Sequence, residues 1–468
     1  MISLQELPTE NKINLLKAGF ELARRRLMDF SFCVNPSYQY ARHLEFLAKT
    51  LEKVERGEIK KLMIFFAPRH GKSEMTSCNF PAWYLGRNPD KRIIHASYAD
   101  ALSNEWSRRT RDVVEDDVFK AIFGISTDKD VRSVSNWRMD GRRGGMLSMG
   151  VGGSATGHGA DLFIVDDPVK NAQEAESETY RKRLHDWYKS VARTRLEPGA
   201  SIILMMARWH QKDLAGSILE EDADWTVINL KAIAGENDPM GRKAGEPLWP
   251  ERFDAHSLEQ IKKDIGSRYW NALYDGEPVD PEGAIIKRHW IQYYESAPIK
   301  ARLYGGIDTA TSKKTSADNM ALVEVCRDKD GFLYVDDVFL DKVSVTEFAT
   351  FVNGLHRQRK FSRINIESNN AGEAVKQRID EVGREPKTGS HPPLSAITTD
   401  TDKVVRVIEF QHMIENGTIK FKSGNPRVAK LIDHLCAFDG RDGADDDDVD
   451  ALGFAIKASE SGERTLVH

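Results

Sequence analysis

The sequence predicts an α/β protein of two successive blocks, the first built around a mainly parallel sheet. Three observations carry this prediction. From about residue 40 to 235, short apolar runs alternate with helically periodic segments, the signature of repeated βαβ units. Residues 235–300 break that rhythm with Gly, Pro and aromatic side chains. From 303 onward, a meander of three strand patterns gives way to helix, strand and further helices.

In the first block the strand patterns are 61–67 (KLMIFFA), 92–98 (RIIHASY), 145–150 (GMLSMG), 161–167 (DLFIVDD), 201–207 (SIILMMA) and 225–233 (WTVINLKAI). The spans between them carry helical periodicity, as in 99–116 (ADALSNEWSRRTRDVVED). The 235–300 stretch reads as a lid or subdomain followed by a crossing segment. The second block opens with strands at 303–310, 319–328 and 331–340, the last two joined by the turn Lys329–Asp330–Gly331. Helix 346–358, strand 363–368, helix 372–383, helix 403–415, the short strand GTIKF and two more helices follow. That order is the one an RNase H-like domain has. The last residues, SGERTLVH, read as a frayed tail. The predicted domains are 1–275, with a lid or linker at about 235–295, and 296–468.

Composition narrows the class. The chain has 468 residues, 40% hydrophobic and 30% charged, which fits a folded multidomain protein rather than a disordered one. No apolar stretch is long enough to span a bilayer, and MISLQELPTENKIN lacks the features of a secretory signal. Cys33, Cys78, Cys326 and Cys436 are far apart and form no CxxC pair, so a disulfide scaffold or zinc ribbon is not expected and a reducing compartment is. The net charge of −5 does not advertise nucleic-acid binding, yet a local basic channel can act within a near-neutral chain.

Residues 67–73, APRHGKS, lie between an apolar strand and a helical segment. Gly71-Lys72-Ser73 matches the end of a P-loop: Gly71 lets the backbone approach phosphates, Lys72 pairs with the β- and γ-oxygens, and the Ser73 hydroxyl ligates Mg2+. The strict pattern has Gly where this sequence has Phe66. Strand LFIVDDP ends in two carboxylates, as a Walker B strand does; Asp166 would hold Mg2+ through water and Asp167 would polarise the attacking water. Each motif has a plain structural counterpart, a capped loop or an acidic turn, but the pair inside one βαβ block is hard to assign to chance. Arg69 within the loop is either an arginine finger or a surface side chain. A Gly-rich turn, GGSATGHGA, precedes the Walker B strand. After strand 201–207, Arg208 and His210 stand where a γ-phosphate sensor sits.

In the second block, Asp308 lies in the first strand, Glu367 ends the fourth, and DDDDVDALGFA runs from acidic residues into a helical pattern. Gathered carboxylates repel one another unless a cation neutralises them. The economical reading is a Mg2+ or Mn2+ site for in-line phosphodiester hydrolysis, with two metals roughly 4 Å apart. Asp308, Glu367 and Asp446 or Asp447 fall where an RNase H-like nuclease places its acids.

Taken together, HLEFLAKTLEKVERGEIKKLMIFFAPRHGKSE, SYADALSNEWSRRTRDVVED, GGSATGHGADLFIVDDPVKN, ARWHQKDLAG, IDTA, NIES and DDDDVDAL resemble the large terminase subunit of tailed bacteriophages over nearly the whole chain. The resemblance implies an α/β chain with an N-terminal P-loop ATPase and a C-terminal RNase H-like nuclease. It would move double-stranded viral DNA into a procapsid using ATP, and cut concatemeric DNA with a divalent metal. It implies ATP and Mg2+ (or Mn2+) as cofactors. The implied partners are double-stranded DNA, the portal protein and the small terminase subunit; the chain would form a ring on the portal, in the host cytoplasm and with no membrane.

Residue by residue, the resemblance makes APRHGKS the Walker A loop, where the early Gly is commonly missing. Arg69 becomes the loop arginine used in catalysis, Asp166 the metal-binding acid, and Asp167 stands where related motors usually have Glu. ARWH becomes the coupling motif with Arg208. NPSYQYARH becomes the adenine-binding region, with Tyr38 or Tyr40 stacking on the base. Asp308, Glu367, Asp446, Asp447 and Asp450 match the nuclease metal ligands, with the register of the Asp run open by one. Lys403 is either a scissile-phosphate contact or a solvated helix residue. The alternative is a P-loop helicase or repair ATPase fused to a nuclease, although no second RecA-like sheet pattern is visible.

Overall fold

The computed structural model describes residues 9–278, 285–309, 318–368, 370–386, 389–399, 401–438 and 447–461. Asp446 and nearly all of the predicted frayed tail lie outside these residues. The chain divides into two compact units, Met1–Lys262 with Ser267–Asp280, and Lys263–Gly266 with Pro281–His468. Among the described residues, no helix is long and apolar enough to cross a membrane.

The first unit is built on eight strands: β1 (Lys61–Phe66), β2 (Arg92–Ser97), β3 (Thr127–Arg132), β4 (Asn136–Met139), β5 (Gly145–Gly150), β6 (Ala160–Asp166), β7 (Leu196–Met205) and β8 (Thr226–Leu230). Their order is β3-β4-β5-β2-β6-β7-β1-β8. The six strands from β5 to β8 pair in parallel, while β4 pairs antiparallel with both β3 and β5. Alternate residues of the parallel strands other than the edge strand β8 enter opposite cores. Leu62, Ile64, Phe66, Leu162 and Ile164 join one cluster, and Met63, Phe65, Phe163 and Val165 the other. Burial on both faces is why these strands read as continuous apolar runs. The edge strand β3 and its neighbour β4 were not among the predicted strands: TDKDVR is mostly charged and only its first residue is buried, and NWRM spans only four residues.

The second unit has seven strands: β9 (Gln292–Tyr294), β10 (Arg302–Thr309), β11 (Asp318–Arg327), β12 (Leu333–Val343), β13 (Arg363–Glu367), β14 (Leu394–Ile397) and β15 (Ile419–Lys422). Their order is β14-β13-β10-β11-β12-β15-β9. β10, β11 and β12 form the antiparallel meander, and β13 joins β10 in parallel. Helix Asp447–Glu460 packs against β10 at Gly306, where an added Cβ would sit 2.0 Å from the Ala451 carbonyl oxygen. Only glycine permits that approach, and it brings the acidic start of the helix to the strand carrying Asp308. The edge strand β9 and the strand β14 were absent from the predicted set, both being very short.

Candidate ATP and nuclease sites

β1 delivers the loop 67–73 at its C-terminal end, where ligands bind in open parallel sheets. Gly71 has φ +82, and a Cβ there would meet Leu44 Cδ2 at 3.1 Å, so the loop turns through a conformation that glycine suits. Lys72 is buried, with its Nζ 3.6 Å from Asp167 Oδ1. Ser73 Oγ lies 3.5 Å from Asp166 Oδ1, and Ser77 Oγ donates to Asp166 Oδ2 at 2.8 Å. Asp166 is buried; desolvation and the neighbouring Asp167 carboxylate push its pKa up, against the pull of Ser77, Lys72 and Ser73. Asp167 Oδ1 also accepts from the Ala207 N–H at 3.1 Å, which ties the end of β6 to the segment after β7.

Among the described residues, three non-glycine residues have positive φ, and Arg69 (φ 63) and Asp167 (φ 45) are two of them. Conformations of this kind persist where the surroundings enforce them, and they concentrate at functional sites. Arg69 is exposed on the loop.

The other predicted nucleotide contacts divide. Tyr38 and Gly71 line one open cleft together with Glu74, Trp249 and Arg252. Tyr40 is 54% exposed and donates to Glu45 Oε2 at 2.6 Å, away from that lining. Arg208 is held by Asp213, its Nε 2.9 and 3.0 Å from the two carboxylate oxygens, and its guanidinium lies over Phe65. Arg208 therefore sits at the predicted strand end but is directed to a helix cap, since Asp213 also accepts from Gly216 N–H. Behind the loop, His43 Nε2 lies 2.9 Å from the His70 carbonyl oxygen, and the His70 ring stacks on Phe253. Burial drives the pKa of both histidines down to about 4.

In the second unit Asp308 is buried near the end of β10, and its pKa is pushed up to about 8 by burial and by the carboxylates of Asp450, Asp447 and Glu367. The structure thus gathers three of the predicted acids around the carboxyl of a fourth. The spacing of Asp447 and Asp450, three apart on the helix, puts both on the side facing Asp308. Asp448 points elsewhere: its two oxygens lie 2.8 and 2.9 Å from His434 Nδ1. Glu367 accepts a hydrogen bond from Thr399 Oγ1.

Arg406, which sequence reasoning missed, makes a two-pronged contact with Asp450 at 2.9 and 2.8 Å and comes within 3.9 Å of Glu367. Lys403 Nζ lies 3.6 Å from Asp450. The i, i+3 spacing of Lys403 and Arg406 was the available signal. The donors are all carboxylate oxygens, the chemistry a hard divalent cation takes. Among the described residues, no three acidic, His or Cys side chains are already drawn into a closed metal cage.

A P-loop on a parallel sheet, followed by acids at the strand and helix ends of an RNase H-like sheet, defines a chain with an ATPase part and a nuclease part. Comparison with known proteins agrees. Residues 63–293 match the family "Terminase large subunit, T4likevirus-type, N-terminal", and residues 305–459 match "Terminase RNaseH-like domain". The chain belongs to the terminase large subunit family.

Among solved structures, it is similar to the large terminase of the thermophilic bacteriophage D6E in crystal form 2, at 10% identity over 87% of this chain and 98% of that one, with TM-score 0.49. It is similar to the HK97 bacteriophage large terminase at 10% identity, over 94% and 99% of the two chains, with TM-score 0.36. The P22 large terminase nuclease domain matches at 18% identity over 37% of this chain and 90% of that one, with TM-score 0.27. Among proteins of curated function, none matches.

Proposed function

We infer that this terminase large subunit uses ATP hydrolysis to translocate double-stranded viral DNA into a procapsid and cuts concatemeric DNA in a metal-dependent reaction. The observation that carries this reading is the pair of separate sites, Lys72 with Asp166 and Asp167 in one unit, and Asp308 with its three acidic neighbours in the other.

In the ATP site, Lys72 takes the β- and γ-phosphate oxygens, exchanging Asp167 for them. Ser73 and Asp166 are placed to hold Mg2+, Asp167 orients the attacking water, and Arg69 reaches the γ-phosphate from the exposed side of the loop. Tyr38 stacks on the base, while Tyr40 stays with Glu45. Arg208 acts through Asp213, positioning the segment whose Ala207 N–H holds Asp167. Residues at about 235–295 serve as the lid or linker between an ATPase domain, 1–275, and a nuclease domain, 296–468.

In the nuclease, Asp308, Glu367, Asp447 and, within the Asp run, Asp446 and Asp450 supply the ligands for Mg2+ or Mn2+. A cation held by these residues would supply activation of water and stabilisation of the leaving oxygen. Lys403 and Arg406, which pair with Asp450, would be the side chains to face the scissile phosphate. The working particle is a ring of copies on the portal, supplied with DNA by the small terminase subunit, in the host cytoplasm.

ATP turnover and plasmid cleavage by the full chain test this reading. DNA-stimulated hydrolysis, further raised by purified portal, together with cleavage that needs Mg2+ or Mn2+, is the expected result. Hydrolysis indifferent to portal, combined with strand separation of duplex DNA, would favour a helicase instead.

A further inference from the structure

We propose that the exposed face of the helical stretch 178–195 is where the ATPase unit grips the DNA phosphate backbone, and that Tyr180 reports this grip to the nucleotide site. The proposal rests on the terminase reading and adds to it the surface that takes the DNA and the route by which DNA stimulates hydrolysis.

The stretch begins as helix Glu178–Trp187, continues through the π turn Tyr188–Ala192 and ends in the 3-10 turn Arg193–Arg195. It carries six cations, Arg181, Lys182, Arg183, Lys189, Arg193 and Arg195, against the acids Glu178 and Asp186, a local excess of four in a chain whose net charge is −5. Its inner side is fixed, with Leu184, Trp187, Tyr188 and Ala192 buried in the core. Its outer side exposes Lys182, Arg183, Asp186, Lys189 and Arg193. At about 1.5 Å per residue, the cations from 182 to 193 span roughly 17 Å, the axial length of several successive phosphates.

These cations are not spent equally. Lys189 pairs with Glu221 at 2.7 Å, and Arg181 donates to the Ala175 carbonyl at 2.6 Å. Lys182 and Arg183 are exposed and form no salt bridge among the described residues. The Gly-rich turn that precedes β6 runs alongside, because Trp187 Nε1 donates to the Gly153 carbonyl at 3.4 Å. It exposes Gly152, Ser154, Thr156 and Gly157, small residues that let a phosphate backbone come close and offer hydroxyl and backbone donors.

The same helix reaches the ATP site. Tyr180 Oη donates to the Pro168 carbonyl at 3.1 Å, and Pro168 follows Asp167 directly. A shift of the helix on loading with DNA is therefore transmitted to the backbone that sets the catalytic carboxylate.

The test uses the full chain, a short random-sequence duplex and ATP. Lys182→Ala/Arg183→Ala is expected to lower the slope of log affinity against log salt by about 2, at ~0.9 per lost phosphate contact, with basal hydrolysis unchanged. Lys182→Arg/Arg183→Lys is expected to keep the slope. Tyr180→Phe is expected to bind DNA with the wild-type slope but to lose most of the stimulation by DNA, measured as the ratio of its DNA-stimulated to its own basal turnover. An unchanged slope in the double alanine variant, or full stimulation in Tyr180→Phe, overturns the proposal. Wild-type protein that neither hydrolyses ATP nor binds duplex overturns the terminase reading instead.

Discussion

The two sites neutralise their carboxylates differently. In the ATP site, a lysine three residues after Arg69 within one loop comes to 3.6 Å from Asp167, and Ser77 holds the buried Asp166. In the nuclease site, three acids drawn from a strand and a helix crowd Asp308 until its pKa reaches about 8, and Arg406 and Lys403 both pair with Asp450, Arg406 also coming within 3.9 Å of Glu367. A site that carries its own cation within its motif is set before any ligand arrives. One that gathers like charges from distant segments depends on a ligand to relieve them.

The sharpest test of that contrast lies inside the Asp run. Asp447→Asn is expected to reduce metal-dependent plasmid cleavage by 100-fold or more, on the order of losing a main electrostatic contribution. Asp448→Asn, which loses the His434 pair but faces away from Asp308, is expected to lower thermal stability while cleavage follows the amount of folded protein. Equal loss of cleavage in both, at equal stability, would break the assignment of faces.

Packing comes next in size. Gly306→Val forces a side chain into the Ala451 carbonyl and is expected to destabilise the second unit by about 3 kcal/mol, at the upper end of overpacking costs. Hydrogen exchange, read unit by unit, should show the first unit unaffected.

Acid separates the units by sign. His43 and His70, with pKa held near 4, and His95, held near 3 by complete burial, take up protons more readily when unfolded. These three histidines therefore subtract stability from the first unit as pH falls through 6.5 toward 4, against the opposing contribution of Asp166, whose raised pKa favours the folded form on protonation. In the second unit, burial and nearby acids raise Glu324 to about 7, against the pull of Arg359. The folded form binds that proton more tightly, so this contribution grows as pH falls from about 7 to 4.5. Exchange rates of metal-free protein across this window should move in opposite directions in the two units; parallel movement would contradict the assignment.

The smallest effect is at Ser77. Ser77→Ala removes one hydrogen bond to a buried carboxylate, worth about 1–3 kcal/mol, and is expected to cut ATP turnover roughly tenfold without preventing nucleotide binding. Isothermal titration beside turnover measurements separates the two.

Much of this was legible in the sequence, for physical reasons. The parallel strands were visible because burial on both faces makes them continuously apolar, and Gly71-Lys72-Ser73 because phosphate binding demands contiguous residues. Asp308 and Glu367 were visible as acids near the ends of otherwise apolar strands. The direction of side chains was not. That Arg208 turns to Asp213, or that Tyr38 rather than Tyr40 fronts the cleft, depends on packing from other segments. The Asp run shows both sides of this. Its composition announced an acidic site, but only the phase of the helix separates Asp447 and Asp450 from Asp448. Strand β3 was missed because an exposed, charged edge leaves no apolar pattern, and β4 because its two buried residues, Trp137 and Met139, fall within only four residues.

The central claim is that one chain holds two separable active sites. Lys72→Ala and Asp308→Ala, purified as full chains, should be assayed side by side for ATP hydrolysis and for plasmid cleavage in Mn2+. The account predicts a double dissociation: Lys72→Ala loses hydrolysis by several orders of magnitude and still cleaves, while Asp308→Ala hydrolyses ATP at the wild-type rate and no longer cleaves. A folded Asp308→Ala protein that cuts at the wild-type rate, or a Lys72→Ala protein that hydrolyses ATP normally, would contradict it.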